Sequence, residues 1–210
     1  MTISKIIAAG VAALAFAGAA QADGLQDGSF LQGATAGSFT TYGTNETIGA
    51  WTVTSGNVDL IGSYWQAPPV TGGYSLDMNG LTAGAISQTF TLAAGEYTLS
   101  FWLAGNPDGA PALKSLLVTA GSSQQAFSFT NTGSTTESNM GWTLETLNFS
   151  TAGSTTLSFA STTGQPGAYS PFGAALGGIS VSAVPEPASL GLLLAGLGMM
   201  GVMSSRRRVR

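Results

Sequence analysis

The sequence predicts an all-β protein, built as a jelly-roll β-sandwich. Short stretches in which apolar and polar residues alternate are separated by Gly-, Ser- and Asn-rich turns. Tyr97–Leu103 has the clearest period of two, and no segment before Val184 has a helical period. About ten such strands form a sandwich of two packed sheets, and the lack of an internal repeat disfavours a propeller or a β-helix.

The predicted strands follow one another along the chain with only short connections. Their predicted cores are residues 50–54, 58–61, 74–78, 86–92, 97–103, 116–119, 125–130, 142–149, 155–160 and 179–181. Residues 55–57, 79–80, 93–95 and 105–109 carry turn residues between them. We therefore expect Trp51, Phe101 and Trp142, which lie in strand patterns, to belong to the core.

The sequence predicts a targeting segment at each end of the chain. Residues 1–22 have a lysine, an apolar run and an Ala20-Gln21-Ala22 cleavage site, as in a secretory signal peptide. Residues 184–210 hold Val184-Pro-Glu-Pro187, the uncharged stretch Ala188–Ser205 and an arginine-rich end. These 18 apolar residues would form a helix about 27 Å long, enough to cross a bilayer core with the arginines inside. Residues 23–183 remain as the β-sandwich domain.

The charge of this domain differs from that of the whole chain. It keeps one basic residue, Lys114, against nine acidic residues, a formal charge of −8. Such a surface disfavours nucleic acid, anionic lipid and acidic polysaccharide as partners. The chain has no cysteine and no histidine, so disulfides, catalytic triads and histidine-ligated metals are excluded.

The C-terminal segment resembles the PEP-CTERM sorting signal of Gram-negative bacteria. The resemblance is carried by Pro185, Glu186 and Pro187, then by the apolar helix and the arginines, in that order. It implies cleavage near the tag by an exosortase-type membrane protease, with release to, or attachment at, the cell surface. An ordinary C-terminal membrane anchor is the alternative, and it also places the domain outside the cytoplasm.

A second resemblance covers most of residues 27–181. The motifs that carry it are Asp27-Gly-Ser-Phe30, Trp51-Thr-Val53, Gly56-Asn-Val-Asp59-Leu60, Tyr64-Trp65, Tyr74-Ser-Leu-Asp77-Met-Asn-Gly80, Ile86-Ser-Gln-Thr-Phe90, Phe101-Trp-Leu-Ala-Gly-Asn106 and Gly141-Trp142. They are similar to the DUF642, or choice-of-anchor C, family, which implies a galactose-binding-like sandwich and an association with polysaccharide. The family's aspartate before the last strand is replaced here by Ala175-Leu176-Gly177-Gly178.

The candidate carbohydrate site lies in the loop after the second predicted strand. Tyr64, Trp65 and Gln66 stand in a Pro-rich loop, with Asn57 and Asp59 just upstream to bind sugar hydroxyls. Adjacent residues of an extended chain point to opposite faces, so at least one ring of the Tyr-Trp pair is expected to be exposed. The alternative is that one of these rings fills one end of the sandwich.

A structural calcium ion is the one cofactor that the sequence suggests. Asp27, Asp59, Asp77 and Asp108 fall near strand ends, and Asp27 and Asp77 are the candidate ligands, although no segment matches a dedicated calcium loop. Turns explain Asp77–Gly80 and Asn106–Gly109 better.

Three functions are compatible with the sequence. The first is an exported, non-catalytic module that binds neutral polysaccharide such as exopolysaccharide. The second is a structural surface or biofilm protein without sugar affinity, and the third is a carboxylate-dependent glycoside hydrolase.

Overall fold

The computed structural model describes residues 24–33, 35, 37–165, 167–185 and 196. Gln21–Val184 forms one compact unit. The predicted signal peptide lies outside the described residues, as do Glu186, Pro187 and, apart from Gly196, the apolar segment Ala188–Ser205. Among the residues that are described, no helix is long and apolar enough to cross a membrane.

The described chain contains twelve β-strands and the architecture is an all-β sandwich, as predicted. The strands are β1 (Phe39–Gly43), β2 (Thr47–Ile48), β3 (Trp51–Ser55), β4 (Asn57–Ile61), β5 (Ser75–Asp77), β6 (Ala85–Thr91), β7 (Gly95–Gly105), β8 (Leu113–Ala120), β9 (Ser123–Thr130), β10 (Thr143–Thr151), β11 (Ser154–Ser161) and β12 (Ala174–Ala183).

The strands form two antiparallel sheets of six. The first sheet has the order β1-β4-β5-β12-β7-β10, and the second has the order β2-β3-β6-β11-β8-β9. Neighbours in each sheet are mostly distant in sequence, as when β12 lies between β5 and β7. Such long connections bring loops from different parts of the chain together at the ends of the sandwich.

The main core lies between the sheets. Phe101 is at its centre, with ring centroids 5.1 Å from Phe127 and 5.2 Å from Phe159, both edge to face. Trp51 lies 6.0 Å from Phe159 and is fully buried. The predictions for Trp51 and Phe101 are therefore confirmed.

A smaller apolar cluster covers part of the outer face of the first sheet. It consists of Ile61, Trp65, Ala104, Met140 and Ala175, with Tyr64 and Trp142 packed against it. Ala104 follows Leu103 of the main core, and successive residues of a strand point to opposite faces. Trp142, predicted in the main core, instead lies in this outer cluster just before β10, where it is only half-buried.

The largest differences from the predicted strands concern β1, β2 and β12. β1 and β2 were not predicted, and β12 begins at Ala174 rather than at Ile179. A register shift between Gly177 and Ser180 interrupts the pairing of β12 with β7. Gly178 has a φ of +56° there, so the bulge uses a conformation that favours glycine and hides the strand's period.

Candidate functional site

Trp65 is buried, which corrects its assignment as a sugar-binding residue. Its side chain is 5% exposed, and its indole Nε1 donates a hydrogen bond of 2.8 Å to Ser75 Oγ in β5. A ring held on the outer face of the first sheet in this way presents no open face to a ligand. The alternative expected one of the two rings to fill an end of the sandwich; Trp65 is buried as that alternative requires, but on the outer face of the first sheet.

Tyr64 is half-buried and packs against Trp65, with 6.0 Å between the ring centroids. Its ring lies edge to face with Phe39, at 5.7 Å between centroids, and Phe39 is 43% exposed. Its hydroxyl donates a hydrogen bond of 2.9 Å to Asp108 Oδ2. This bond raises the pKa of Tyr64 to about 12, with further contributions from burial and from the negative charges of Asp108 and Glu137.

An open groove lies beside Tyr64, between the loop after β7 and the loop after β9. Its lining residues are Pro107, Asp108, Thr135, Thr136, Glu137 and Ser138. Hydroxyls and carboxylates thus line this space, and one of the lining residues, Asp108, is hydrogen-bonded to Tyr64. We call this arrangement, Tyr64 and Phe39 with these six residues, the Tyr64 groove.

Gln66 connects the Tyr64 loop to the far wall of the groove. Its backbone N–H donates to the Glu137 carbonyl at 2.7 Å, and its Oε1 accepts from the Met140 N–H at 3.0 Å. The Gln66 carbonyl accepts a hydrogen bond of 3.0 Å from Trp142 Nε1. Gln66 therefore fixes the relative position of two loops, which is a different task from the ligand contact that was predicted.

Asn57 and Asp59 bind other parts of the chain. Asn57 Oδ1 accepts from the N–H groups of Leu81, at 2.6 Å, and Thr82, at 3.0 Å, which stabilises the turn after β5. Asp59 Oδ1 accepts from the Thr41 hydroxyl at 2.5 Å, and burial raises the pKa of this carboxyl. Of the five predicted binding residues, Tyr64 is the one whose side chain is hydrogen-bonded to a residue that lines the groove.

Asp77 is a buried carboxyl whose two oxygens already accept three N–H donors. They are the backbone N–H groups of Asn79 and Gly173, at 2.9 and 3.0 Å, and Asn106 Nδ2, at 2.6 Å. Burial raises the pKa of Asp77 to about 8 against the lowering effect of these hydrogen bonds. Beside it, Asn79 Oδ1 is buried without a hydrogen-bond partner.

Asp27 lies in different surroundings. Its carboxylate accepts from the Gln32 N–H, and its carbonyl accepts from Trp51 Nε1 at 3.1 Å. Burial raises the pKa of Asp27. Its hydrogen bonds share no partner with those of Asp77, and the described residues contain no group of three or more acidic side chains suited to a metal ion. Asp27 and Asp77 are therefore bound by different N–H groups and do not form one shared calcium site.

The sequence did not single out Glu137, and it indicated Asp108 only as a possible calcium ligand or a turn residue. Asp108 lies in a turn, as predicted, and Glu137 lies in the polar loop after β9. The Pro-Asp-Gly turn was a usable indication, but nothing in the sequence places it beside Tyr64, 44 residues away.

The domain is thus an acidic all-β sandwich with a polar groove beside Tyr64, in a chain with a C-terminal sorting segment. Comparison with known families shows that the chain belongs to the family described as "Protein of unknown function (DUF642)", whose model matches residues 23–176. Residues 183–208 match the PEP-CTERM protein-sorting motif, as predicted. This motif implies an exported protein.

One curated relative and several solved structures are similar to parts of the chain. Halomucin of Haloquadratum walsbyi is 35% identical over 108 residues, which is 48% of this chain and 1% of halomucin. The chain therefore spans about a hundredth of that relative's length.

Among solved structures, CBM35 from Paenibacillus barcinonensis is 20% identical, with a TM-score of 0.42 over 69% of this chain and 99% of its own. TmCBM61, solved in complex with β-1,4-galactotriose, is 14% identical, with a TM-score of 0.44 over 76% of this chain and 97% of its own. At these similarities, the ligands of the solved proteins do not transfer to this chain.

Proposed function

We propose that this protein is an exported surface protein whose sandwich binds neutral polysaccharide, without catalysis, in the Tyr64 groove. The observation that carries the proposal is the half-buried Tyr64 ring, which Asp108 holds beside a groove lined by hydroxyls and carboxylates. A sugar ring has an apolar C–H face and a rim of hydroxyls, and such ligands bind where an aromatic surface adjoins a few fixed polar groups.

The charge of the domain restricts the ligand class. With a formal charge of −8 and its single lysine fully buried, the sandwich repels anionic polymers. A neutral glycan, such as a neutral exopolysaccharide, escapes this repulsion. Carboxylates can accept hydrogen bonds from its hydroxyls.

The sorting motif supports the proposal that this binding occurs outside the cytoplasm, at the cell surface or in the medium. An exosortase-type membrane protease would cut near Pro185-Glu186-Pro187, after which the sandwich is released or attached at the cell surface. The apolar segment would then be a membrane anchor only before this processing.

Affinity electrophoresis tests the proposal. Purified residues 23–184 are run through gels that contain neutral galactan, xylan or dextran, and through gels that contain anionic alginate. We expect at least one neutral polymer to slow migration, and Tyr64→Ala to weaken retention at least about tenfold. Tyr64→Phe keeps the ring and should retain part of the affinity.

Tyr169→Ala is the matched control, because Tyr169 is 76% exposed and lies in a different loop. Its retention should equal that of the unchanged protein. A folded domain that no polysaccharide retards would refute the binding proposal and leave the structural surface protein. Release of reducing sugar from a bound polymer would contradict the non-catalytic part.

A further inference from the structure

The loop that carries Asp108 is held at its first residue by a buried carboxyl. Asn106 Nδ2 donates to Asp77 Oδ2 at 2.6 Å, and Asn106 Oδ1 accepts the Asp108 N–H at 2.9 Å. A continuous chain of hydrogen bonds thus runs from Asp77 through Asn106 and Asp108 to the Tyr64 hydroxyl. Asp77 is 1% exposed and Asn106 is 5% exposed, so the inner part of this chain is closed to ligand.

The same loop is held at its last residue by the single lysine of the domain. Lys114 Nζ donates to the Gly109 carbonyl at 2.8 Å and to the Phe172 carbonyl at 2.6 Å. The ammonium also lies 5.9 Å from the Phe172 ring centroid. Lys114 is fully buried, and its position in β8 is fixed by the pairing with β9.

Two buried ionisable side chains are unfavourable for stability in themselves. Removing a charged group from water carries a free-energy penalty that an apolar side chain of similar size would avoid. The hydrogen bonds of Asp77 and Lys114 go to loop residues and to loop backbone, and each of the two groups holds one end of Asn106–Gly109. Both buried groups therefore serve to order the same loop, Asn106–Gly109.

We infer that Asp77 and Lys114 are positioning residues that fix the Asn106–Gly109 loop so that Asp108 remains hydrogen-bonded to Tyr64. This inference rests on the proposed function, in which the Tyr64–Asp108 pair forms one wall of the binding groove. A loop that is ordered before the ligand arrives loses less conformational entropy on binding, which raises affinity.

The ionisation of Tyr64 reports the loop position without any ligand. The domain is labelled with 3-fluorotyrosine, which ionises at lower pH than tyrosine, and Tyr64→Phe assigns the resonance in fluorine NMR spectra. Lys114→Met keeps the apolar stem but removes both donors, and Asn106→Ala breaks the path from Asp77. In both variants we expect the ionisation midpoint of residue 64 to fall, because Asp108 leaves the tyrosine hydroxyl.

Val118→Ala is the matched control. Val118 is fully buried in the same strand as Lys114, so its loss destabilises the fold without touching the loop. Its residue 64 midpoint should stay at the unchanged value. An equal fall in this control, or no fall in the two folded loop variants, would overturn the inference.

Hydrogen exchange of the unchanged protein gives a second test that needs no variant. The Asp108 amide should exchange more slowly than the amide of the exposed Gly133, because Asn106 Oδ1 accepts its hydrogen. Equal exchange rates would contradict a fixed loop.

Polysaccharide retention then separates the two proposals. Lys114→Met should weaken it about two- to tenfold. If the unchanged protein binds no polysaccharide, the proposed function fails. The positioning roles of Asp77 and Lys114 are decided separately, by the ionisation midpoint of residue 64 and by hydrogen exchange of the Asp108 amide.

Discussion

Asp59 and Asp77 are direct cross-strand partners in β4 and β5. Two like charges in this position repel each other, and both groups are removed from water. Burial raises the pKa of each carboxyl, that of Asp77 to about 8, and the nearby Asp59 charge contributes to the Asp77 shift. Protonation of Asp77 therefore stabilises the folded state relative to the unfolded chain.

The free energy of unfolding should consequently fall as the pH rises from about 4 to about 8. In this range the folded state holds a proton on Asp77 that the unfolded chain, with an aspartate pKa near 3.8, has already released. One proton limits this slope to about 1.4 kcal/mol per pH unit. Urea unfolding at a series of pH values measures it, and a rise in stability over the same range would contradict the assignment.

Lys114 should reverse this trend above about pH 8. Burial lowers its pKa from 10.5 to about 8, so between these values the unfolded chain holds the extra proton and stability rises with pH. In Asp77→Asn the fall between pH 4 and 8 should shrink while the rise above pH 8 remains. In Lys114→Met the rise should disappear instead.

Trp65→Ala should lower the free energy of unfolding by about 3–5 kcal/mol, the usual loss for a buried large aromatic side chain. The indole fills the outer cluster and donates to Ser75. Trp65→Phe fills most of the volume and should lose less. Thermal unfolding measures both, with the exposed Tyr169→Ala expected within about 0.5 kcal/mol of the unchanged protein. A Trp65→Ala protein of unchanged stability would refute the buried role.

Gly173→Ala should destabilise the loop next to β12 by about 1–3 kcal/mol, because the added methyl overpacks it. A Cβ at this position would lie 2.6 Å from Asp77 Oδ1, 2.6 Å from Asn79 Oδ1 and 2.7 Å from the Asn79 backbone nitrogen. Gly133→Ala is the matched control, since its Cβ would meet no atom within 4 Å. Equal unfolding temperatures for the two variants would contradict the close packing.

The sequence predicts the sandwich because its strands alternate with period two and end at turn residues. The predicted segment Tyr97–Leu103 lies within β7, and residues 86–91 lie within β6. Both were predictable because one face of each strand is buried, which produces the period of two in the sequence. β1 was not predicted, since it is an edge strand with no fully buried residue. The first half of β12 was missed for a different reason: its first four residues are all buried and a bulge follows, so the strand has no period of two there.

The site is less predictable than the fold, because it depends on contacts between distant loops. The Tyr64-Trp65 pair indicates that one ring points outward, but only the Trp65–Ser75 hydrogen bond decides which. Asp108 reaches Tyr64 because β7 and the loop after β4 meet at one end of the sandwich. No local pattern encodes that meeting.

Calcium should leave the unfolding temperature unchanged. A cation at Asp77 would have to displace the Asn79, Asn106 and Gly173 N–H donors, and the described part of the chain offers no third carboxylate beside Asp59 and Asp77. At Asp27 too, a calcium ion would compete with a hydrogen bond, because Oδ1 and Oδ2 both lie 3.2 Å from the Gln32 nitrogen that donates to them. A ligand that binds only the folded state raises stability by mass action, so scanning calorimetry with millimolar calcium and with a chelator is decisive. A higher unfolding temperature in calcium, lost in Asp27→Asn or Asp77→Asn, would instead establish these aspartates as ligands.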